Sequence, residues 1–338
     1  KIISAARVTK VVSVTEEQQA KLEKSGVLKR IQQQSSSQVS MANNQVTIRG
    51  SYHDARYAAS LLEEQLTGEY CTEIEMDASQ FKRASAAWGS YSQQMNSEAK
   101  VTMQESTNSI EIKGKRSDVK SILLAMMDFL SFVCPGDFER IKVTRPLFAT
   151  VASASSLADI AANTGVAAIY LDRDLSSIMI RDSNSEKVQA AAQMVQAKIA
   201  DAERLAYVLE VAPDEAWLLA YVIGKNGARV QALQKGSDCH VEVSKESRTI
   251  TLTGEDEEKV AAVRAKLDAL VEQGRSENLF VHIPEAAIPA FVGQGGKNIK
   301  QLAADHGVEI QRVKKSSKFN ITGEADKTAS CKAAVEAW

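Results

Sequence analysis

A short pattern, apolar-x-apolar-x-Gly, recurs at a nearly constant distance along the 338 residues and constrains the fold more than any other feature. It reads "VTIRG" ending at Gly50, "IEIKG" at Gly114, "ITLTG" at Gly254 and "FNITG" at Gly323, with "IMIRD" ending at Asp182 in phase with the rest. Successive steps are 64, 68, 72 and 69 residues by subtraction. Alternation with period two predicts a strand, and the closing glycine reads as a turn into the next element. A chain that repeats itself at this interval is an array of like modules.

Each strand is followed by a polar start and an Ala-rich stripe at helical spacing, as in "SYHDARYAASLLEEQL", "SNSEKVQAAAQMVQAKIADAE" and "EDEEKVAAVRAKLDALV". In the last two, Ser or Asp ahead of Glu supplies N-cap chemistry. Upstream, "AYVLEVAP" and "NLFVHIP" read as strands ending at proline, and "DEAWLLAYVI" and "EAAIPAFV" as short helices. Second helices follow in "ARVQALQKGS" and "KNIKQLAADHG", each with a glycine near its stop. The order β-α-turn-α-β-β-α predicts an α+β fold: five tandem modules, each a three-stranded antiparallel sheet covered on one face by three helices. The expected bounds are residues 1–68, 69–135, 136–205, 206–274 and 275–338, packed in series without flexible linkers. The low-complexity patch "QQQSSSQ" (Gln32 to Gln38) is expected to be a loop between the second helix and second strand of the first module.

Composition narrows the function. With 44% apolar and 25% charged residues the chain has enough apolar side chain for real cores, and a net charge of −2 gives no bulk attraction for polyanions. The run "SILLAMMDFLSFVC" (Ser121 to Cys134) is too short for a bilayer and carries Asp128, so it reads as a buried amphipathic helix with no membrane insertion. Four single cysteines, Cys71, Cys134, Cys239 and Cys331, suit reduced thiols in an intracellular protein. A start at Lys1 and a stop at Trp338 inside a helical pattern suggest a fragment of something longer. His53, His240, His282 and His306 fall in four different structural contexts, and no nucleophile–base pair stands at usable spacing. No metal, cofactor, small-molecule substrate or enzymatic activity is expected.

The most specific motif is a glycine pair between two helical patterns: "VIGKNGARV" (Val222 to Val230) and "FVGQGGKNI" (Phe291 to Ile299). The first glycine precedes the end of its strand pattern by 30 residues in both, 224 to 254 and 293 to 323. "GQGGKN" lacks the spacing of a nucleotide-binding P-loop and follows a helix pattern. In motif, order and spacing the chain resembles the KH (K-homology, type I) domains, whose Gly-x-x-Gly signature joins the first two helices. Unbroken arrays of such modules are similar to the vigilin-like multi-KH proteins, which implies a cytoplasmic, ribosome- or mRNA-associated protein acting in translation. The same count back from Asp182, Gly114 and Gly50 lands at Ala152, Ala84 and Ala20, where no glycine pair stands. Those three modules read as degenerate, and the family's RNA contacts do not transfer to them.

A helix that begins just after a glycine presents free N–H groups and the positive end of its dipole, and a bare backbone lets a phosphodiester approach. The expected contacts are Gly224, Lys225, Asn226, Gly227 and Arg229 in the fourth module, and Gly293, Gln294, Gly295, Gly296, Lys297 and Lys300 in the fifth. The resemblance implies an apolar groove floor of Ile223, Val230 and Val241, or of Val292, Ile299 and Ile310. Base edges would meet the second strand and the turn after it, at Lys245 and Arg248, or Lys314 and Lys315. An aromatic content of 5% suits this mode better than base stacking on rings. Residues 279–338 carry eight basic and six acidic side chains, against eight and twelve in 206–272, which favours the fifth module. The expected partner is single-stranded RNA, either mRNA or exposed rRNA, with the ribosome. The rival reading is a protein–protein scaffold of KH folds that has mostly ceased to bind RNA.

Overall fold

The computed structural model describes residues 7–93, 98–313 and 316–338 and contains five three-stranded antiparallel sheets. The first module runs β1 (Arg7–Ser13), α1 (Glu16–Ser25), α2 (Val27–Ser35), β2 (Gln38–Ala42), β3 (Gln45–Ser51) and α3 (Tyr52–Thr67). The second runs β4 (Tyr70–Glu75), α4 (Ala78–Ser92), β5 (Lys100–Gln104), β6 (Ser109–Gly114) and α5 (Arg116–Val133). The third runs β7 (Phe138–Lys142), α6 (Phe148–Val151), α7 (Ala154–Thr164), β8 (Ala168–Asp172), β9 (Ser177–Arg181) and α8 (Ser185–Leu205). The fourth runs β10 (Tyr207–Glu210), α9 (Trp217–Ile223), α10 (Ala228–Gln234), β11 (His240–Ser244), β12 (Thr249–Thr253) and α11 (Glu257–Glu277). The fifth runs β13 (Asn278–His282), α12 (Ile288–Val292), α13 (Lys297–His306), β14 (Glu309–Arg312), β15 (Lys318–Thr322) and α14 (Ala325–Glu336).

In every sheet the third strand lies between the other two, and it is this strand that carries the sequence repeat. Its alternate residues point into the core: Val46 and Ile48, Ile110 and Ile112, Ile178 and Ile180, Ile250 and Leu252, Phe319 and Ile321 are all essentially inaccessible. A central strand has neighbours on both edges and helices on one face, so its pattern is the most tightly dictated in the module. Burial of this stripe also orients α5, whose Val119, Ile122, Leu123, Met126 and Leu130 face inward while Asp128 stays exposed.

Several details differ from the sequence expectation, each for a physical reason. The second module has a single helix, α4, between β4 and β5 among the described residues; Ala84 is buried inside it rather than at a turn. Asp77 and Gln80 form a capping box that starts this helix cleanly, and no glycine pair interrupts it. The first module turns at Gly26 (φ 64°), not at Ala20, so one left-handed glycine joins α1 directly to α2. "QQQSSSQ" is not a loop: Gln32 to Ser35 complete α2, Ser35 Oγ donates to Ile31 O (2.7 Å), and Gln38 opens β2. Asn184, rather than a serine, caps α8 by accepting from Glu186 N (2.9 Å).

The closing glycines do not turn the chain. Gly50, Gly114, Gly254 and Gly323 lack positive φ; each lies against the residue that leads into the neighbouring edge strand. A Cβ at Gly114 would come within 3.0 Å of Ala99 Cα, and one at Gly254 within 3.0 Å of Cys239 Sγ. In the third module Asp182 fills this place by chemistry instead, accepting from Ala167 N at 2.8 Å.

Two compact units result, one through Glu203 and one from Arg204. In the first unit the modules are not merely in series: modules one and two share one core, which Leu175 and Met179 of the third module join. The β8–β9 turn wedges into that junction, with Arg173 paired to Asp54 (2.9 Å) and Asp174 held by Arg116 (2.8 Å) and the Tyr70 hydroxyl. Asp137 binds Gln80 and Arg83 of α4. Where the three modules meet lies a cavity of about 190 Å³, whose walls include Lys10, His53, Arg56, Glu73, Tyr170 and Asp172 beside Leu123 and Met127. His53 stacks on Tyr170 (centroids 3.8 Å), and burial, then Arg56 and Arg181, hold its pKa down to about 3. Burial pushes Asp172 up to about 6.

Candidate functional site

The glycine pairs of the fourth and fifth modules fold into the same loop. Gly224 and Gly293 leave their helices at φ 71° and 72°, with ψ 176° and 172°. Asn226 and Gly295 follow at φ 54° and 61°, then Gly227 and Gly296 at φ 80° and 78°. Three left-handed residues in four make a corner that ordinary side chains resist, which is why the motif is glycine-rich. The second glycine stands at the N-cap of α10 or α13 without any side-chain capping bond. The N-termini of these helices therefore face the loop without a side chain of their own to satisfy them.

The loop is held from behind by a brace that the motif alone does not predict. Five residues after the first glycine, Arg229 Nη1 donates to Tyr221 O (3.0 Å) and Asn298 Nδ2 to Ala290 O (2.8 Å). Both side chains lie over the first glycine, where a Cβ would meet Arg229 Cγ at 2.8 Å or Asn298 Cγ at 2.6 Å. Arg229 also sits 3.8 Å from the centre of the Tyr221 ring. The cation–π contact and the carbonyl bond make Arg229 a brace behind the loop, with its charge kept beside the corner. Burial, with the bond to Glu277, pushes the Tyr221 hydroxyl up to about 12. The shared offset of a donor five residues beyond each glycine was the available sequence signal.

The other expected residues divide clearly. Lys225, Asn226, Gln294, Gly295, Lys297 and Lys300 are exposed around the loops, and the three lysines form no ion pair among the described residues. Ile223 and Val230 are half-buried, as are Val292, Ile299 and Ile310, which pack against the core of the fifth module. Val241 differs: at 4% exposure it belongs to the core of its module and offers no open floor. It is fixed by β11 pairing to Leu252 and by donating its N–H to Gln234 Oε1 (2.7 Å). Lys245 and Arg248 stand exposed in the β11–β12 turn, tied to the end of β10 by Val211 N donating to Arg248 O (2.8 Å). No hydrogen bond or ion pair among the described residues joins that turn to the glycine loop. Lys314 and Lys315 lie outside the described residues.

None of the first three modules carries the glycine pair, and each makes this connection differently. Ser153 caps α7, its Oγ accepting from Ser156 N at 3.2 Å, so one N–H of the helix start after Ala152 is already taken. In the second module α4 runs through the place of the turn, and in the first Gly26 alone joins the helices.

The family model described as "KH domain" matches residues 215–269 and 278–337. Far upstream element-binding protein 1 of Homo sapiens is 30% identical over 142 residues, covering 35% of this chain and 22% of that protein. Protein SCP160 of Saccharomyces cerevisiae is 26% identical over 110 residues, covering 31% of this chain and 9% of that protein. The chain thus matches less than a quarter of the length of these curated relatives. A solved structure described as "KH domains" covers 79% of this chain and 85% of its own, at 12% identity and a TM-score of 0.20.

Proposed function

The chain is a tandem KH-domain protein, and on that premise we propose that its fourth and fifth modules grip single-stranded RNA, mRNA or exposed rRNA, at their Gly-x-x-Gly loops. The observation that carries this reading is the identical left-handed corner in both, each opening a helix without a side-chain cap. Such a corner gives an anionic backbone access to main-chain N–H groups, with Lys225 or Lys297 and Lys300 adding charge at the rim. Val230, or Val292, Ile299 and Ile310, line the groove beside it, and four nucleotides is the length such a module clamps. The lack of a glycine pair in the first three modules supports a structural and docking role for the first unit. A cytoplasmic place on ribosomes or mRNA is the setting this reading favours, and the chain acts as a binding protein and not an enzyme.

The test replaces both middle residues of each loop by aspartate, K225D/N226D with Q294D/G295D. A side chain already occupies this conformation at Asn226, and a Cβ at Gly295 meets nothing within 4 Å, so the change brings no clash and only the strain of an aspartate at φ 61°. Binding of the full chain to a random-sequence 20-nucleotide RNA pool is expected to fall at least tenfold, with the fold retained and the melting temperature lowered by no more than about 5 °C. Retained binding would favour the scaffold of degenerate KH folds.

A further inference from the structure

The fourth and fifth modules meet without a linker. α11 ends at Glu277 and β13 begins at Asn278, whose side-chain amide donates back to Gly274 O (3.0 Å). The last turn of α11 is bonded forward to the fifth module: Ser276 O accepts from the buried Thr328 Oγ1 (2.7 Å) and Glu277 O from Gly323 N (3.1 Å). The Trp217 and Phe280 rings pack across the same joint at 5.7 Å, and α14 lies against α11.

That same turn is bonded backward to the helix that carries the fourth module's loop. Tyr221 Oη donates to Glu277 Oε2 (2.6 Å), and Arg275 makes a two-pronged pair with Glu215 (2.9 and 2.8 Å). Gly274 is bare because the Tyr221 ring lies where its Cβ would be, at 2.8 Å. Tyr221 stands three residues before Gly224 and carries the Arg229 strut. One helical turn, Gly274 to Glu277, therefore grips both the loop-bearing helix of the fourth module and the body of the fifth.

We infer that the two Gly-x-x-Gly loops are presented as one preorganised pair, so that the protein selects RNA by the spacing between two short segments as well as by their sequence. The inference rests on the RNA-binding reading of the two loops. In a pair joined by a flexible chain, effective concentration falls gradually as a ligand's spacer grows; in a fixed pair one span is favoured and its neighbours are penalised. Ordering entropy is already spent in folding the joint, so little is left to lose on binding.

The experiment uses the full chain and RNAs with two identical tetranucleotide blocks, taken from selection against a random pool, joined by abasic spacers of zero to twelve units. Affinity is expected to peak at one spacer length, at least 100-fold above a single block, and to fall at least tenfold two or three units to either side. Inserting Gly-Ser-Gly-Ser between Glu277 and Asn278 should flatten the profile while single-block affinity stays within twofold. Trp217→Ala, a milder loosening of the joint, should broaden the peak in the same direction. A flat profile for the unaltered protein, with binding still lost in the aspartate variant, overturns the fixed spacing and leaves RNA binding standing. No binding to any block overturns both.

Discussion

Gly114 and Gly89 show how differently one residue type acts 25 positions apart. Gly114 is pressed against the backbone of Ala99, whereas Gly89 is exposed within α4 and its Cβ position is empty. Gly114→Ala is expected to cost about 1–3 kcal/mol, because strand backbone must shift to admit a methyl group. Gly89→Ala is expected to stabilise by up to about 1 kcal/mol through helix propensity. Urea midpoints of the first unit's transition, compared with the unaltered chain, check both signs. The repeated glycine was visible in the sequence, but its cause was not. A positive φ and a close approach leave the same letter, and only the position of Ala99, Cys239 or Ser37 tells them apart.

At the scale of elements, the glycine loop is a corner between two short helices, and its geometry depends on the strut behind it. Arg229→Ala removes a carbonyl bond and a cation–π contact, and Asn298→Ala removes the equivalent bond in the fifth module. Each is expected to lower stability by about 0.5–2 kcal/mol. Amide exchange at residues 224–228 or 293–297 should quicken by tenfold or more, ahead of global unfolding. Uniform exchange changes across the module would instead mean that the strut serves only overall stability. Turn positions in the first three modules were legible only in part. Counting back along the repeat found the turn at Ala152 but missed Gly26, because the turn between the second and third strands has two residues in the first module against four in the third and fourth.

Across the whole molecule, the first unit is welded by charged and polar groups that also make it sensitive to pH. His53 is neutral in the fold, with its pKa near 3 against an ordinary 6.5. Its contribution is complete above pH 6.5 and is lost as pH falls from there toward 3. Asp172, raised to about 6 by burial, works in the opposite sense: its contribution is complete below the ordinary carboxyl pKa and is lost as pH rises through 6. His53→Gln is therefore expected to keep about 2–3 kcal/mol more stability than the unaltered chain on going from pH 6.5 to 4. Hydrogen exchange across β1, α3 and β8 would measure it, and parallel pH profiles would remove His53 from the account. The sequence by itself determined the number of modules, the strand at the centre of each sheet and the two places where the chain can turn on bare backbone. Those features rest on local periodicity and on the conformational freedom of glycine, which neighbours in the chain fix. Tertiary structure alone decided that the turn at Arg173 and Asp174 is consumed inside the first unit, that Arg229 is a strut and that the α11 turn joins two modules. Each of these depends on contacts between residues tens of positions apart, and a side chain's letter does not say which distant partner will reach it first.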